Sequence, residues 1–230
     1  MAGSEFERAR SPEAKRVREN AILAAADRLA MINGVREVTL TGIADEVGMH
    51  KSAMLRYFET REEIFLRLAA NAWAEWSAAV RDQLENLTSR RSSGEQKWEH
   101  TARLIAGTLA QSLVARPLFC DLLAHTPLNL ERNVSTDAVR AFKTRAITET
   151  AEISAALCAV TPLRIDQAQS VVTTATAMAG ALWQIAAPGT HLRDFYASDP
   201  ELAHSVVDVE PSLTDILNAL LTGYALRSIQ

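Results

Sequence analysis

The chain has 230 residues, 48% of them hydrophobic, enough for one large or two small domains around a sizeable core. Its 24 basic and 28 acidic residues give a formal charge of −4, and two isolated cysteines, Cys120 and Cys158, exclude a disulfide framework and a cysteine-based metal site. With no signal peptide and no apolar run of about 18 residues, the expectation is a soluble cytoplasmic protein without a membrane partner. Only 9 Gly and 7 Pro interrupt a chain rich in Ala, Leu and Arg, and no β-branched or aromatic alternation is sustained, so the expected fold class is all-α.

Residues 1–6 read as a cloning remnant, and 1–10 as disordered or expression-derived. Ser11-Pro12-Glu13 opens a helix: a capping Ser, Pro at the first helical position, then an acid against the dipole. That helix runs to about residue 32 on an apolar stripe of Ile22, Leu23, Ala26, Leu29 and Ala30, and Asn33-Gly34 ends it. Val35 and Val38 then pack inward. Thr39 is a candidate N-cap for a short helix carrying Ile43, Ala44 and Val47, and Gly48 supplies a left-handed exit. A second short helix starts at His50 or Lys51 and places Met54, Leu55 and Phe58 at i, i+1 and i+4. Ala44 is small enough to let the two helices cross closely. The pattern is that of a helix-turn-helix, whose second helix enters the major groove; the alternative is an ordinary helical hairpin inside a core.

Thr60 caps a long helix over about 61–85 with Phe65, Leu68, Ala72, Trp73, Trp76 and Val80 on one face. Residues 87–95 form the clearest loop. Helices follow over about 95–115, 117–125 and 135–158, with Pro127 opening the connection between the last two. Pro162 breaks the chain again. The most apolar helix spans about 165–187, residues 188–210 are poor in regular signals apart from a helical turn within 200–207, and Pro211 starts a last helix to about 227.

Four segments resemble the tetracycline-repressor (TetR) family of transcriptional regulators, in order and at the family's spacing, over about residues 19–70. They are Ala21-Ile22-Leu23-Ala24-Ala25-Ala26 with Asn33-Gly34; Thr39-Leu40-Thr41-Gly42-Ile43-Ala44 with Val47-Gly48; Lys51 through Arg56-Tyr57-Phe58; and Arg61-Glu62-Glu63-Ile64-Phe65. The resemblance implies an N-terminal three-helix DNA-binding domain over 1–60 and a helical ligand-binding and dimerisation domain over 61–230. It implies a homodimer, built by pairing helices 165–187 and 211–227 with their copies, on a near-palindromic double-stranded operator.

The resemblance also assigns roles. Lys51, Ser52 and Ala53 match base-facing positions: Lys51 can donate to guanine, Ser52 can donate or accept, and Ala53 can offer a methyl to thymine. Thr41 matches a position reaching base or phosphate, and His50, Tyr57 and Arg61 match phosphate contacts, while Thr39 and Arg56 complete the expected DNA-facing set. Three residues depart from the family pattern. Leu55 replaces a phosphate-binding Tyr, Ser52 replaces a frequent Gly, and Gly42 sits inside a helix at a cost of about 1 kcal/mol relative to Ala. Residues 1–60 hold nine basic and nine acidic side chains, so the reader is neutral overall, with its cations gathered at Lys15, Arg16, Arg18, Lys51, Arg56 and Arg61.

Large rings beside small residues in the second domain suggest a mostly apolar pocket walled by Trp73, Trp76, Trp98, Phe119, Phe142 and Trp183. Thr108, Thr150, Thr176 or Gln184 would be its polar points. The expected effector is small and neutral or weakly polar; a ligand-independent architectural DNA binder with a packed body is the alternative. No phosphate loop or nucleophile elbow occurs, and His50, His100, His125, His191 and His204 are scattered. Glu201 and His204 stand three apart beside Pro200, and Asp121 with His125, four apart, reads as a salt bridge or cap. No catalytic residue, metal or cofactor is expected, and the chain is not read as an enzyme.

Overall fold

The structure, a computed structural model, describes residues 12–89 and 98–227; Ser11, residues 1–10 and residues 90–95 of the expected loop lie outside the described residues. Helix α1 (Pro12–Asn33) turns Ile22, Ala25, Ala26 and Ala30 into the core and leaves Lys15, Arg16 and Arg18 in water. Gly34 follows at φ +81, the left-handed value that lets its N–H close on the Ala30 carbonyl at 2.8 Å. Helices α2 (Leu40–Glu46) and α3 (Lys51–Met54) are joined through Gly48 at φ +64, and Met49 N–H reaches back to the Ala44 carbonyl at 2.8 Å. Ile43 and Ala44 are buried, and Arg28 of α1 bonds Glu46 of α2 at 3.1 Å.

Helix α3 is shorter than its apolar spacing suggests. Past Met54 the chain winds more tightly, with Arg56 N–H on the Ala53 carbonyl at 3.3 Å and Tyr57 N–H on the Met54 carbonyl at 2.8 Å. This winding buries both Met54 and Phe58 and turns Leu55 outward, 53% exposed.

Helix α4 (Arg61–Ser89) packs on α1 at one end and on α5, α6 and α7 beyond; Thr60 Oγ1 caps it by accepting Glu63 N–H at 3.1 Å. Helices α5 (Trp98–Val114), α6 (Pro117–Leu128), α7 (Thr136–Val160), α8 (Ile165–Ala186), α9 (His191–Ser198) and α10 (Val209–Arg227) complete the chain, with 3-10 turns at Leu130–Arg132 and Ala203–Ser205. The described residues include no strand. Helix α4 packs along α7, α5 along α10, and α6 across α8. One connected apolar core runs from Ile22 in α1 to Leu221 in α10.

Other elements also differ from the sequence reading: α4 continues through residues 87–89 of the expected loop. Pro127 lies inside the last turn of α6 instead of ending it; it cannot donate to the carbonyl of Leu123, and the helix closes one residue later, with Asn129 N–H on the His125 carbonyl at 3.1 Å. Residues 191–198, expected to be irregular, form α9; its apolar side chains Leu192, Phe195 and Tyr196 stand at i, i+3 and i+4, and none of them is buried. The α9 segment is pinned by Arg193, which donates to the Ala186 carbonyl at 3.2 Å, the Val207 carbonyl at 2.9 Å and Asp208 at 2.9 Å. Helix α10 begins at Val209, ahead of Pro211, because Val209 is buried and a first-turn proline loses no helical bond.

Helices α6 and α8 touch backbone to backbone at Gly180. A Cβ there would stand 2.8 Å from Ala124 N and 3.1 Å from Leu123 C, and backbone cannot step aside as a side chain can. The crossing brings Asp121 and His125 of α6 opposite Gln184 of α8. Asp121 accepts Val35 N–H at 2.7 Å and the Gln184 side-chain amide at 2.8 Å, and His125 Nε2 lies 3.3 Å from its Oδ1. A second bond joins the same two parts of the molecule: Glu59 accepts Ser135 N–H, at the start of α7, at 3.2 Å. Burial pushes the Asp121 carboxyl upward, but hydrogen bonds from His125, Val35 and Gln184, with the His125 charge, outweigh it and hold the group below its ordinary value.

Two stability predictions follow from this geometry. Gly180→Ala is expected to destabilise the fold by about 1–3 kcal/mol through overpacking, read as a fall of roughly 2–4 °C in Tm per kcal/mol. Because the folded carboxyl is depressed, its stabilisation is complete above the unfolded value of 3.8 and is lost as pH falls through the lower folded one. Asp121→Asn therefore lowers stability in urea titrations at pH 7 by about 1–3 kcal/mol. The gap to the parent protein narrows as the pH is taken below 3.8.

Candidate nucleic-acid interface and cavities

The outward surface of α2, α3 and the turns beside them carries the residues selected from the sequence apart from Arg61, and each of the two helices is capped by one of them. Thr39 Oγ1 accepts Gly42 N–H at 3.0 Å, so this hydroxyl fixes the start of α2. His50 Nδ1 accepts Ser52 N–H at 3.3 Å and lies 2.8 Å from Ser52 Oγ, so it caps α3. That role leaves Nε2 as the donor on the exposed edge of the ring. Ser52 is engaged with His50, and its oxygen lone pairs remain open to a partner. Thr41, Lys51 and Arg56 are exposed, Ala53 and Tyr57 half-buried, and Tyr57 packs against the core beneath α3.

Charge separates these residues further. On α1, Lys15 and Arg16 pair with Glu19 at 3.6 Å and Glu13 at 2.9 Å. Among the described residues Arg18, Lys51 and Arg56 take part in no ion pair, which leaves their charge for an external anion such as phosphate. Arg61, expected on a phosphate, turns inward instead. Its guanidinium donates to the carbonyls of Val35 and Val38, pairs with Glu62 at 3.0 Å and lies 4.7 Å over the Phe65 ring. The carbonyls beyond α1 need donors, and Arg61 is the nearest group with several. It braces the start of α4 against the end of α1.

The residues proposed to wall a ligand pocket do not share one cavity. Trp73, Trp76 and Phe119 pack on one another, with ring centroids 5.6 to 5.8 Å apart, and Trp76 Nε1–H donates to Ser112 Oγ at 2.9 Å. Thr108 and Thr176 bond backbone carbonyls within their own helices, at Leu104 (2.9 Å) and Val172 (3.1 Å), and Thr150 lies half-buried on α7. Three cavities open nearby. One of about 420 Å³ lies between the end of α1, α6 and the end of α8, and Trp183 and Gln184 line it. One of about 270 Å³ lies between α1, α4 and the start of α6, with Phe119 on its wall. A third of about 250 Å³ separates α4 from α7 beside Phe142.

Sequence reading missed the contact of Asp121 with Val35. The i, i+4 spacing of Asp121 and His125 revealed the local pair, but nothing in the linear order tied it to residue 35. Among the described residues no group of three or more His, Cys, Asp or Glu side chains could hold a metal ion. No single described helix is long and apolar enough to cross a membrane.

Lys51→Ala and Arg56→Ala are each expected to weaken binding to any duplex and to lower the salt dependence of log K by about one unit of slope, measured by fluorescence anisotropy across a salt series. Arg61→Ala lowers thermal stability more than it alters that slope.

Two family profiles match the chain. The one described as bacterial regulatory proteins, tetR family, covers residues 22–68, and the one described as tetracyclin repressor-like, C-terminal domain, covers residues 70–228. Among curated proteins none matches. Solved structures of similar fold include the fatty acid degradation regulator FadR from Bacillus halodurans, at 13% identity and TM-score 0.54 over 89% of this chain and 94% of that one. Another is the Thermus thermophilus FadR repressor in complex with lauroyl-CoA, at 15% identity and TM-score 0.53 over 89% and 93%. A possible TetR family regulator from Streptomyces coelicolor aligns at 15% identity and TM-score 0.53 over 92% and 100%.

Proposed function

Because the chain belongs to the TetR family of DNA-binding transcriptional regulators, which are not enzymes, we propose that it is a homodimeric, cytoplasmic repressor released from a near-palindromic operator by a small molecule. In this reading residues 1–60 bind DNA and residues 61–230 dimerise and sense the ligand. The observation that carries the DNA half is α3. It is a capped helix with Lys51 exposed and unpaired at its start and Arg56 likewise in the turn just after it. Lys51, Ser52 and Ala53 face base edges, and His50, Tyr57 and Arg56 lie toward the flanking phosphates.

Dimerisation through α8 and α10 is supported by their outward faces. Residues 167–192 carry no Asp, Glu, Lys or Arg, and Thr173, Ala177 and Ala181 form a smooth exposed stripe on α8 beside Ala219 and Gly223 of α10. On α8 such a surface meets its own copy about a two-fold axis without burying a charge, while on α10 the exposed Asp215 stands one turn before Ala219. Two heads carried by one dimer then match two half-sites.

Helix α4 spans both parts, so a ligand that shifts it changes the separation of the heads, provided that it binds the released arrangement more tightly than the bound one. The apolar wall that Leu68, Leu118, Phe119 and Leu122 give the cavity of about 270 Å³ supports a neutral or weakly polar effector. Lauroyl-CoA is the ligand of the Thermus neighbour, and at 15% identity that likeness is one of fold. The close packing of the Trp73, Trp76 and Phe119 rings favours a second reading, a regulator that binds DNA without a ligand.

Selection from a random-site duplex pool at physiological salt is expected to return one inverted repeat, with recovery lost in Lys51→Ala. Sequence-indifferent binding would overturn the reading. Ala181→Arg is expected to shift the dimer to monomer in analytical ultracentrifugation and to abolish binding to the full repeat at protein concentrations that saturate the parent.

A further inference from the structure

The seam between α1 and α6 is hollow on its α8 side. The cavity there, about 420 Å³, falls within the range of small-molecule sites, roughly 300–1,000 Å³. Trp183, Leu118, Met31 and Pro188 give it apolar walls, and Asp121 and Gln184 lie at its polar end. The Asp121 side chain is only 13% exposed. It accepts from an amide N–H and a carboxamide and lies against His125, and among the described residues no lysine or arginine pairs with it. Arg36, the cation on the cavity rim, is 82% exposed and faces Glu37 at 3.9 Å. The one ionisable partner of Asp121, His125, carries a charge only when protonated, so no permanent cation stands beside this sheltered carboxylate.

We infer that this junction cavity binds a small organic cation, an ammonium group on a compact apolar frame, with Asp121 as its counter-ion and Trp183 as part of its wall. The lining holds one sheltered carboxylate, Asp121, while the second, Glu37, is exposed and faces Arg36; one sheltered carboxylate beside the apolar walls suits an organic cation and supplies too few oxygens for a calcium or magnesium ion. Of the three donors on Asp121, Gln184 is the exposed one, able to swing into water and yield its place on Oδ1 to the ammonium. Oδ2 of the same carboxylate anchors Val35, so occupancy is coupled to the position of the α1 exit. Binding stands independently of the proposed function; its consequence for the operator rests on that reading.

The test is isothermal titration of the full chain with 2-phenylethylamine, and with 2-phenylethanol and 3-phenylpropanoate as neutral and anionic matches. The amine is expected to bind at least about tenfold more tightly than the alcohol, a gap of one decade in Kd, and the acid not at all. Asp121→Asn removes that preference. Gln184→Lys, at an exposed position, places the chain's own ammonium beside Asp121; it is expected to keep or raise Tm and to lose amine binding at least about tenfold. Equal binding of amine and alcohol, a Gln184→Lys variant that binds the amine like the parent, or no saturation up to about 10 mM would overturn the site. Repeating the titration with the selected operator separates the two readings. A shift in operator affinity with the amine supports the coupling, and amine binding that leaves operator affinity unchanged overturns the coupling alone. A chain that binds the amine but no specific DNA overturns the regulator reading while the site stands.

Discussion

Asp121 accepts Val35 N–H at 2.7 Å, and through that bond the exit of α1 is fastened to α6 and, by way of Gln184, to α8. Helix α1 ends in a left-handed Gly34, and the amide just past it needs an acceptor that no side chain of the first three helices supplies. The body provides one. On the opposite side of the same turn Arg61 donates to the carbonyls of Val35 and Val38, so the short segment between α1 and α2 has its donor satisfied by an acid from α6 and its acceptors by a base from α4. The head shares the apolar core with the body, and backbone hydrogen bonding at one turn, reinforced by Glu59 on Ser135, fixes how it sits there.

That arrangement depends on how closely α6 and α8 approach. Gly180 allows the α8 backbone to lie on Leu123 and Ala124, and the crossing places Gln184 within 2.8 Å of Asp121. Glycine in a helix interior is intrinsically unfavourable, and here the close crossing offsets that cost. The aromatic cluster of Trp73, Trp76 and Phe119 lies one layer away and joins α4 to the start of α6. The helix that carries the head and the helix that anchors its turn are thus packed on the same rings, and motion of one is felt by the other.

The DNA-facing surface is electrostatically lean. Much of the head's charge is neutralised within it, as in Arg28 with Glu46 and Arg16 with Glu13. Affinity for phosphate therefore rests on a few unpaired cations, and a two-fold dimer that doubles them matters more than it would for a basic reader. The cap on α3 adds order at little cost in charge, since His50 uses one ring nitrogen on Ser52 and keeps the other outward.

Much of this was legible in the linear chain. Gly34 and Gly48 stand where helices must end, Thr39 and Thr60 where they begin, and the helical spacing of Ile43, Met54 and Phe58 marks the inner face of the reader. These are local signals, set by backbone sterics and by periodicity within a turn or two. Helix α9 carries local signals, a capping Thr190 and Leu192, Phe195 and Tyr196 at helical spacing, but is only eight residues long and packs none of them inside, and Arg61 was misplaced because its free-looking charge is satisfied by carbonyls 23 and 26 residues earlier in the chain. The partnership of Asp121 with Val35, 86 residues apart, and the cavity beside it exist only once α6 lies across α8 and against the end of α1. Sequence by itself determined the helices, their ends and the family of the reader, because those follow from short-range chemistry. Tertiary structure alone decided which polar groups meet across the junction, because an unpaired backbone amide takes whatever acceptor packing brings to it.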